Sequence, residues 1–358
     1  MTIPAKPAFC PYCHSSHIIK KGSRKNRYRL IPQYFCKGCR KYFSSNTITK
    51  LKYPPRLLMK AITYYNLGYS QTEVANLLSS RHRIRVPRRT ISEWIARYRP
   101  VCTYAKLRDD IKPSYPPDQL ILTYTMEHRQ VYEFQFHQAK IKLLSAYLPG
   151  QAGVRLRDYL NTVTTDQYPH YLFQDQKREN HPMDQSPTPA TRSSKVRLET
   201  LPLVQTEKQN LANDLATLGL VVARTTRERH PAIQEFMLVN DSTTVACEIP
   251  IYLTDEDIKA YRHQGLQINY PNLVSPITGH IDLIQIRNGL INILDYKPDA
   301  HKIQPISQLL TYALALASRC KLPLKLFKCA WFDDKSYYEF YPLQAVYSKD
   351  RQPIRIKD

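Results

Sequence analysis

Glycine is scarce in this sequence, with nine residues in 358 against 26 prolines. That balance excludes a fibre and points to extended connecting segments between globular parts. Hydrophobic residues make up 42% and charged residues 23%, which excludes a wholly disordered chain. Long apolar runs are also missing, and none approaches the roughly 18 residues that span a bilayer. Residues 1–9 lack the basic-then-apolar layout of a secretory signal. The expectation is a soluble protein with no membrane partner, cytoplasmic and nucleoid-associated if the source is prokaryotic. No internal repeat is found. The length allows two or three domains at roughly 100 to 200 residues each.

Acidic residues are nearly absent from the first third. Residues 1–108 hold 23 of the 52 lysines and arginines against two acids, Glu73 and Glu93, leaving 29 bases and 28 acids for the remainder. The formal net charge of +22 is therefore concentrated in one segment. A generally basic surface would spread it along the chain. A segment this basic attracts a polyanion, and nucleic acid binding through it should be strongly salt-dependent.

Four of the eight cysteines form two C-x-x-C pairs, Cys10 with Cys13 and Cys36 with Cys39. Two intervening residues let a tight turn aim both thiolates at one cation, and two such turns complete a tetrahedral zinc site. Two disulfides or unpaired thiols are the alternative. His14 and His17 could replace a cysteine but fit surface or nucleic-acid contacts better. Tyr34, Phe35, Tyr42 and Phe43 could supply a small core. The expectation is a zinc ribbon over residues 1–50 with Zn²⁺ as a structural cofactor.

Over residues 51–100 the pattern becomes helical. Leu57, Leu58, Ala61, Ile62 and Tyr65 form one apolar face, and Gly68 offers a left-handed terminator. Ser70-Gln71-Thr72-Glu73 reads as a capping box ahead of Val74, Leu77 and Leu78. Thr90-Ile91-Ser92-Glu93 repeats the box, so a third helix is expected from Thr90, with Ile91, Trp94, Ile95 and Tyr98 inward. Three such helices make a helix-turn-helix candidate, or an ordinary bundle with a solvated basic face. Arg88, Arg89, Ser92 and Arg97 are the candidate DNA contacts on the last helix. The ribbon followed by LGYSQTEVANLL and TISEWIARY resembles the DNA-binding head of insertion-sequence transposases. That resemblance covers about the first 100 residues and implies DNA as partner. The three spaced carboxylates of an integrase-like domain, which it would place next, are not found after Pro100.

Residues 101–173 read as a connector of unknown fold. Their aromatics, including Tyr132, Phe134, Phe136 and Tyr147, are expected in a core. Residues 174–200 are polar, rich in Pro, Ser and Thr, and non-periodic, as in a flexible linker.

Within residues 201–358, two apolar runs flank Asn288-Gly289, the preferred pair for a two-residue hairpin turn. That turn sets Arg287 opposite Leu290, and hence Asp282 opposite Asp295 and His280 opposite Lys297. Strand alternation puts both pairs on the face of Ile284, Ile286, Ile291 and Ile293. Two opposed carboxylates are destabilising unless a positive charge lies between them, and Mg²⁺ or Mn²⁺ suits hard oxygen donors. A surface pair of Asp295 with Lys297 is the plainer alternative.

Asp282 in GHID, Asp295-Tyr296-Lys297, and Gln308 followed by Tyr312 in Q-x-x-x-Y together resemble the RecB-like branch of the PD-(D/E)XK nuclease superfamily. The resemblance covers about residues 211–343. It implies an α/β restriction-endonuclease-like domain and a catalytic set of Asp282, Asp295, Lys297, Glu248, Gln308 and Tyr312. Asp282 and Asp295 would ligate the catalytic Mg²⁺ or Mn²⁺. Glu248 in VACEIPIYL is the first choice for the third ligand and His230 the second, and either could be structural instead. Cys102, Cys247, Cys320 and Cys329 lack cluster spacing and read as buried small hydrophobes. The whole implies a multidomain chain whose function is DNA hydrolysis, endonuclease ahead of exonuclease, in a mobile-element or genome-defence setting. A homodimer is compatible with it. A DNA-binding regulator or transposition accessory protein with an inactive nuclease fold is the rival.

Overall fold

The computed structural model describes residues 10, 12–13, 15–25, 30–44, 52–108, 115–174, 190–200, 206–223, 225–270 and 276–347. His14, most of the expected linker (residues 175–189) and the junction at residues 45–51 lie outside the described residues.

Strands β1 (Ile18–Lys25), β2 (Leu30–Cys36) and β3 (Tyr42–Ser44) form a three-stranded antiparallel sheet in that order. Alternation divides the two aromatic pairs between its faces. Tyr34 packs with Cys10, Ile18, Cys36 and Phe43 in a small core. Phe35 and Tyr42 pair elsewhere, with centroids 4.9 Å apart, and Tyr42 is exposed.

Helices α1 (Pro55–Asn66), α2 (Gln71–His82) and α3 (Arg88–Tyr98) follow. The box at Ser70 forms: Ser70 Oγ accepts from the Glu73 N–H at 3.2 Å and Glu73 Oε2 from the Ser70 N–H at 2.6 Å. Gly68 takes φ +113° where α1 ends. Helix α3 starts at Arg88, two residues before the expected Thr90. Extended Pro87 supplies the entry and no side chain caps it, while Glu93 pairs with Arg89 at 3.1 Å. Leu58, Ile62, Val74, Leu78, Ile91 and Trp94 are buried between the helices.

The remaining elements are β4 (Ile121–His128), β5 (Gln130–His137), α4 (Gln138–Leu144), α5 (Ala152–Thr162), β6 (Thr191–Arg192), β7 (Thr206–Glu207), α6 (Leu211–Leu220), α7 (Arg229–Asn240), β8 (Thr244–Leu253), α8 (Asp255–His263), β9 (Ile277–Arg287), β10 (Leu290–Tyr296), α9 (Ile306–Cys320), β11 (Phe327–Phe332), β12 (Tyr337–Phe340) and α10 (Pro342–Val346). They build a mixed nine-stranded sheet in the order β4-β5-β8-β9-β10-β11-β12-β7, with β6 alongside β9. Strands β10 and β11 run parallel, which a tight turn cannot connect, and α9 makes the crossover. Asn288 and Gly289 both have positive φ, and the hairpin they close sets Arg287 opposite Leu290 and Leu283 opposite Leu294. That is the register derived from the turn.

Two layers of helix cover this sheet. Ile284, Ile286, Ile291 and Ile293 pack with α5, α8 and α9. Leu283, Leu294, Ala330 and Phe332 pack with α6, α7 and the three helices of residues 55–98. The architecture is thus α/β with a mixed sheet. No helix among the described residues is long and apolar enough to cross a membrane.

Residues 101–173 do not form a body apart, as the connector reading expected. Strands β4 and β5 extend the main sheet, where Gln135 pairs with Cys247 and Phe136 with Ala246. Fully buried Lys140 of α4 donates to the carbonyls of Leu238, Asp241 and Thr244, tying that segment to the end of α7. The linker reading also fails over residues 190–200, where β6 pairs with β9 and Glu199 bridges to Asn269. The first three helices share a core with the sheet layer instead of hanging from it, and Asn66 Nδ2 donates to Asn240 Oδ1 at 2.9 Å between buried side chains. These joins depend on pairings between residues far apart in sequence, which local composition does not encode.

Candidate functional site

Two sites come from the residues singled out by the sequence. In the first, Cys10 Sγ lies 3.6 Å from Cys39 Sγ and Cys13 Sγ lies 3.5 Å from Cys36 Sγ. All four sulfurs fall within 4.8 Å of one another. Disulfide sulfurs would be about 2 Å apart. A tetrahedron with Zn–S bonds of about 2.3 Å has edges near 3.8 Å, so the four thiols can hold zinc. Hydrogen bonding from the Cys39 backbone lowers the Cys36 thiol to about 6, towards the thiolate that a cation needs, while burial raises Cys39 to about 12.

Arg88, Arg89, Ser92 and Arg97 are exposed on α3, although Arg89 is engaged by Glu93. Arg81, Arg83, Arg85 and Arg99 are exposed nearby. This surface is basic and solvated.

The second site sits where β8, β9 and β10 meet the start of α7. Cys247 pairs with Leu283 and Ile249 with Ile281, so Glu248 lies across from Asp282. Glu248 holds φ +53°, a left-handed conformation that costs a non-glycine residue roughly 1 to 3 kcal/mol. Gln234 Nε2 donates to its Oε1 at 2.7 Å. From the first turn of α7, His230 Nε2 reaches Asp282 Oδ2 at 2.6 Å, and the same oxygen accepts the Tyr296 N–H at 2.9 Å. His230, Glu248 and Asp282 offer ligand atoms within 4.8 Å of one another. The structure therefore assembles both third-ligand candidates with Asp282.

Asp295 stands just behind this group. Its Oδ2 is 2.7 Å from Lys297 Nζ in an ion pair, and neither buried oxygen has another hydrogen-bond partner among the described residues. Buried carboxylate oxygens are normally satisfied, and Lys297 supplies the positive partner here. Burial and Asp282 raise the Asp295 carboxyl to about 8. Burial and Asp282 likewise raise Glu248 to about 7. For Asp282, burial acts upward, yet His230 and Lys297 outweigh it and the carboxyl lies below its usual range. Burial opposes the His230 charge, but Asp282 lifts it to about 9. For Lys297, burial is outweighed by Asp295 and Asp282, so its ammonium is held charged. Excess carboxylate with one imidazole in a partly closed site is a donor set that fits a divalent cation such as Mg²⁺ or Mn²⁺.

Gln308 and Tyr312, one turn apart on α9, join through a 2.7 Å hydrogen bond and line a cleft of about 640 Å³ with His230, Glu248 and Asp282. Gly279 makes their approach possible: a Cβ there would lie 2.7 Å from Tyr312 Cε1 and 2.4 Å from Ser193 Oγ.

Other cleft residues escaped the sequence reading. Tyr132 packs against the core of Phe134 and Phe136, as expected, and also lines the cleft, stacking on His280 with centroids 3.8 Å apart. Tyr147 is exposed. His128, Phe173, Arg129 and Arg192 also line the cleft from segments read as connector and linker. Alternation in VYEFQFHQ was the one signal available for this wall, and it does not say which sheet the strand joins. Cys102, Cys247, Cys320 and Cys329 are buried, as expected. Comparison with protein-family models, curated proteins and solved structures finds no match for this chain.

Proposed function

We propose that this chain is a metal-dependent nuclease that hydrolyses phosphodiester bonds in DNA, held on its substrate by the zinc-binding sheet and the basic three-helix unit acting as a helix-turn-helix head. The observation that carries the reading is the convergence of His230, Glu248 and Asp282 within 4.8 Å, backed by Asp295 and its ion pair with Lys297. The cation they would hold supplies Lewis-acid polarisation of the scissile phosphate.

The chain's own groups supply the rest. Lys297, kept charged by the two aspartates, faces the growing charge on phosphate oxygens. Gln308 and Tyr312 offer hydrogen bonds to the strand, and Arg129 and Arg192 line its path. In hydrolysis the water oxygen forms a bond to phosphorus and the bond from phosphorus to one sugar oxygen breaks. The departing oxygen gains a proton, and the proton lost by the attacking water leaves to solvent. The exposed arginines of α3 supply affinity and placement.

The test uses the full chain with Mg²⁺ or Mn²⁺ on closed circular and linear DNA. Nicking or opening of closed circles, lost in Asp282→Asn without loss of DNA binding, is the expected result. DNA binding with no cleavage under any divalent cation would support the regulator reading instead.

A further inference from the structure

Three imidazoles run from the cleft into the protein. His280 Nε2 lies 2.9 Å from His128 Nδ1, His128 Nε2 lies 2.8 Å from His170 Nδ1, and His170 Nε2 lies 3.1 Å from the Val163 carbonyl oxygen. A carbonyl only accepts, so His170 carries its proton on Nε2. In a neutral imidazole the other nitrogen must then accept, and the same constraint passes along the chain. His128 donates from Nε2, His280 donates from Nε2, and His280 keeps a lone pair on Nδ1.

Neutrality follows from the surroundings. Burial, helped by His170, holds His128 at about 4 and lowers His170 as well, and His280 has an imidazole on Nε2 and no carboxylate among its hydrogen-bond partners in the described residues. The rings are held by stacking: Phe173 lies on His128 at 4.2 Å and 16°, and Tyr132 on His280 at 3.8 Å and 12°. His280 lines the cleft, and its Nδ1 has no partner among the described residues and is not a buried orphan. It precedes Asp282 by two residues on the same face of β9, a spacing of about 7 Å.

A lone pair at this place is selective. The phosphate and sugar oxygens of a DNA chain accept hydrogen bonds, so Nδ1 repels them and calls for a donor, either water or a base amino group. The location beside Asp282 and Glu248 favours water. Resting on the nuclease reading, we infer that the His170–His128–His280 chain fixes His280 as the hydrogen-bond acceptor for the water that attacks the phosphodiester. His280 is then a catalytic residue, with His128 and His170 as positioning residues that set its tautomer.

The experiment combines ring-nitrogen NMR of full-length, ¹⁵N-histidine-labelled protein in Mg²⁺ with steady-state cleavage kinetics. His280 is assigned with His280→Gln. The Nε2–H tautomer is expected at all three histidines, and an Nδ1–H signal from wild-type His280 overturns the inference whether or not the protein cleaves DNA. His280→Phe keeps a ring under Tyr132 but removes the acceptor. Its kcat should fall about 100-fold while KM and DNA affinity stay within about twofold. His128→Phe should give a mixed tautomer signal for His280 and a loss of roughly tenfold. Unchanged kcat in His280→Phe refutes the role, as does weakened DNA binding at unchanged kcat, which would mean a base contact. A wild-type protein inactive with both Mg²⁺ and Mn²⁺ removes the nuclease reading and this role with it.

Discussion

His230 Nε2 and Asp282 Oδ2 lie 2.6 Å apart, joining the first turn of α7 to the middle of β9. The pair concentrates charge of both signs in a site that also holds Glu248, Asp295 and Lys297. Its consequences reach stability as well as chemistry.

The first is a stability optimum in pH. Folding raises Glu248 to about 7, Asp295 to about 8 and His230 to about 9. Each group binds its proton more tightly in the fold than in the unfolded chain, so stability is lost as pH rises through these values. From pH 6.5, the ordinary histidine value, to about 9, the contributions of Asp295 and His230 have the same sign. On the acid side His128, His137, His170 and His280 are depressed, so the unfolded chain takes protons first and stability falls as pH drops below 6.5. The two raised acids offset part of that loss. Lys140 and Cys36, lowered to about 7 and about 6, act the other way over this range, so the site's share is read by comparison. In urea melts with chelator the slope of stability from pH 6.5 to 9 should be less negative in His230→Gln than in wild type, and equal slopes in the two proteins contradict the site's electrostatics.

Asp295→Asn separates charge from shape. Burial and Asp282 raise the wild-type carboxyl, so variant and wild type should differ least on the acid side. At pH 9 in chelator it should be more stable by an amount on the order of 1 kcal/mol, limited because Lys297 loses its partner. Stabilisation by Mn²⁺ should largely disappear, and so should cleavage. Equal metal stabilisation of both proteins in thermal melts would exclude Asp295 from the cation site.

Gly279→Ala probes the wall under Tyr312. The added methyl would meet Ser193 Oγ at 2.4 Å and Tyr312 Cε1 at 2.7 Å. Displacing a buried ring costs roughly 1 to 3 kcal/mol. Cleavage should fall by about tenfold or more, with the zinc content and DNA affinity of the head unaltered. Wild-type cleavage rates would show that Tyr312 has no part in the site.

For the cysteine cluster, elemental analysis should find one zinc per chain. Replacing Cys36 and Cys39 by serine should remove it, unfold the small sheet and weaken DNA binding, while leaving the melt of the main sheet in place. Full zinc content in that double variant would exclude the four-sulfur site.

The contact between α1 and α7 gives a mechanical prediction. Asn240→Ala would leave the buried Asn66 amide without its acceptor, at about 1 to 3 kcal/mol. Because the three helices share the core of the sheet, calorimetry should show them unfolding with it in one transition. Independent unfolding of residues 52–108 would mean that this contact is weak.

Features under short-range control are legible in the residues alone. The two C-x-x-C turns meet as one group, Ser70 and Glu73 cap α2, and Asn288-Gly289 closes a hairpin whose alternation places Asp282 and Asp295 on the face of Ile284 and Ile293. The cap, the hairpin and each C-x-x-C turn follow from turn geometry or a period of two over a short stretch, while the meeting of the two turns, between residues 23 and 29 apart, follows from the chemistry of a shared cation. Thr90 shows the limit even there, since Pro87 starts the helix earlier than its box predicts.

Which distant segments complete the site follows from the packed fold. Pairing of β5 with β8 brings His128 and Tyr132 to the cleft from a stretch that reads as a connector, and α7 packs so that His230 joins Glu248 instead of replacing it. The left-handed backbone at Glu248 and the tautomer order of the three histidines belong to the same class. They depend on sheet order and on burial across more than a hundred residues of chain, and local pattern carries no record of either.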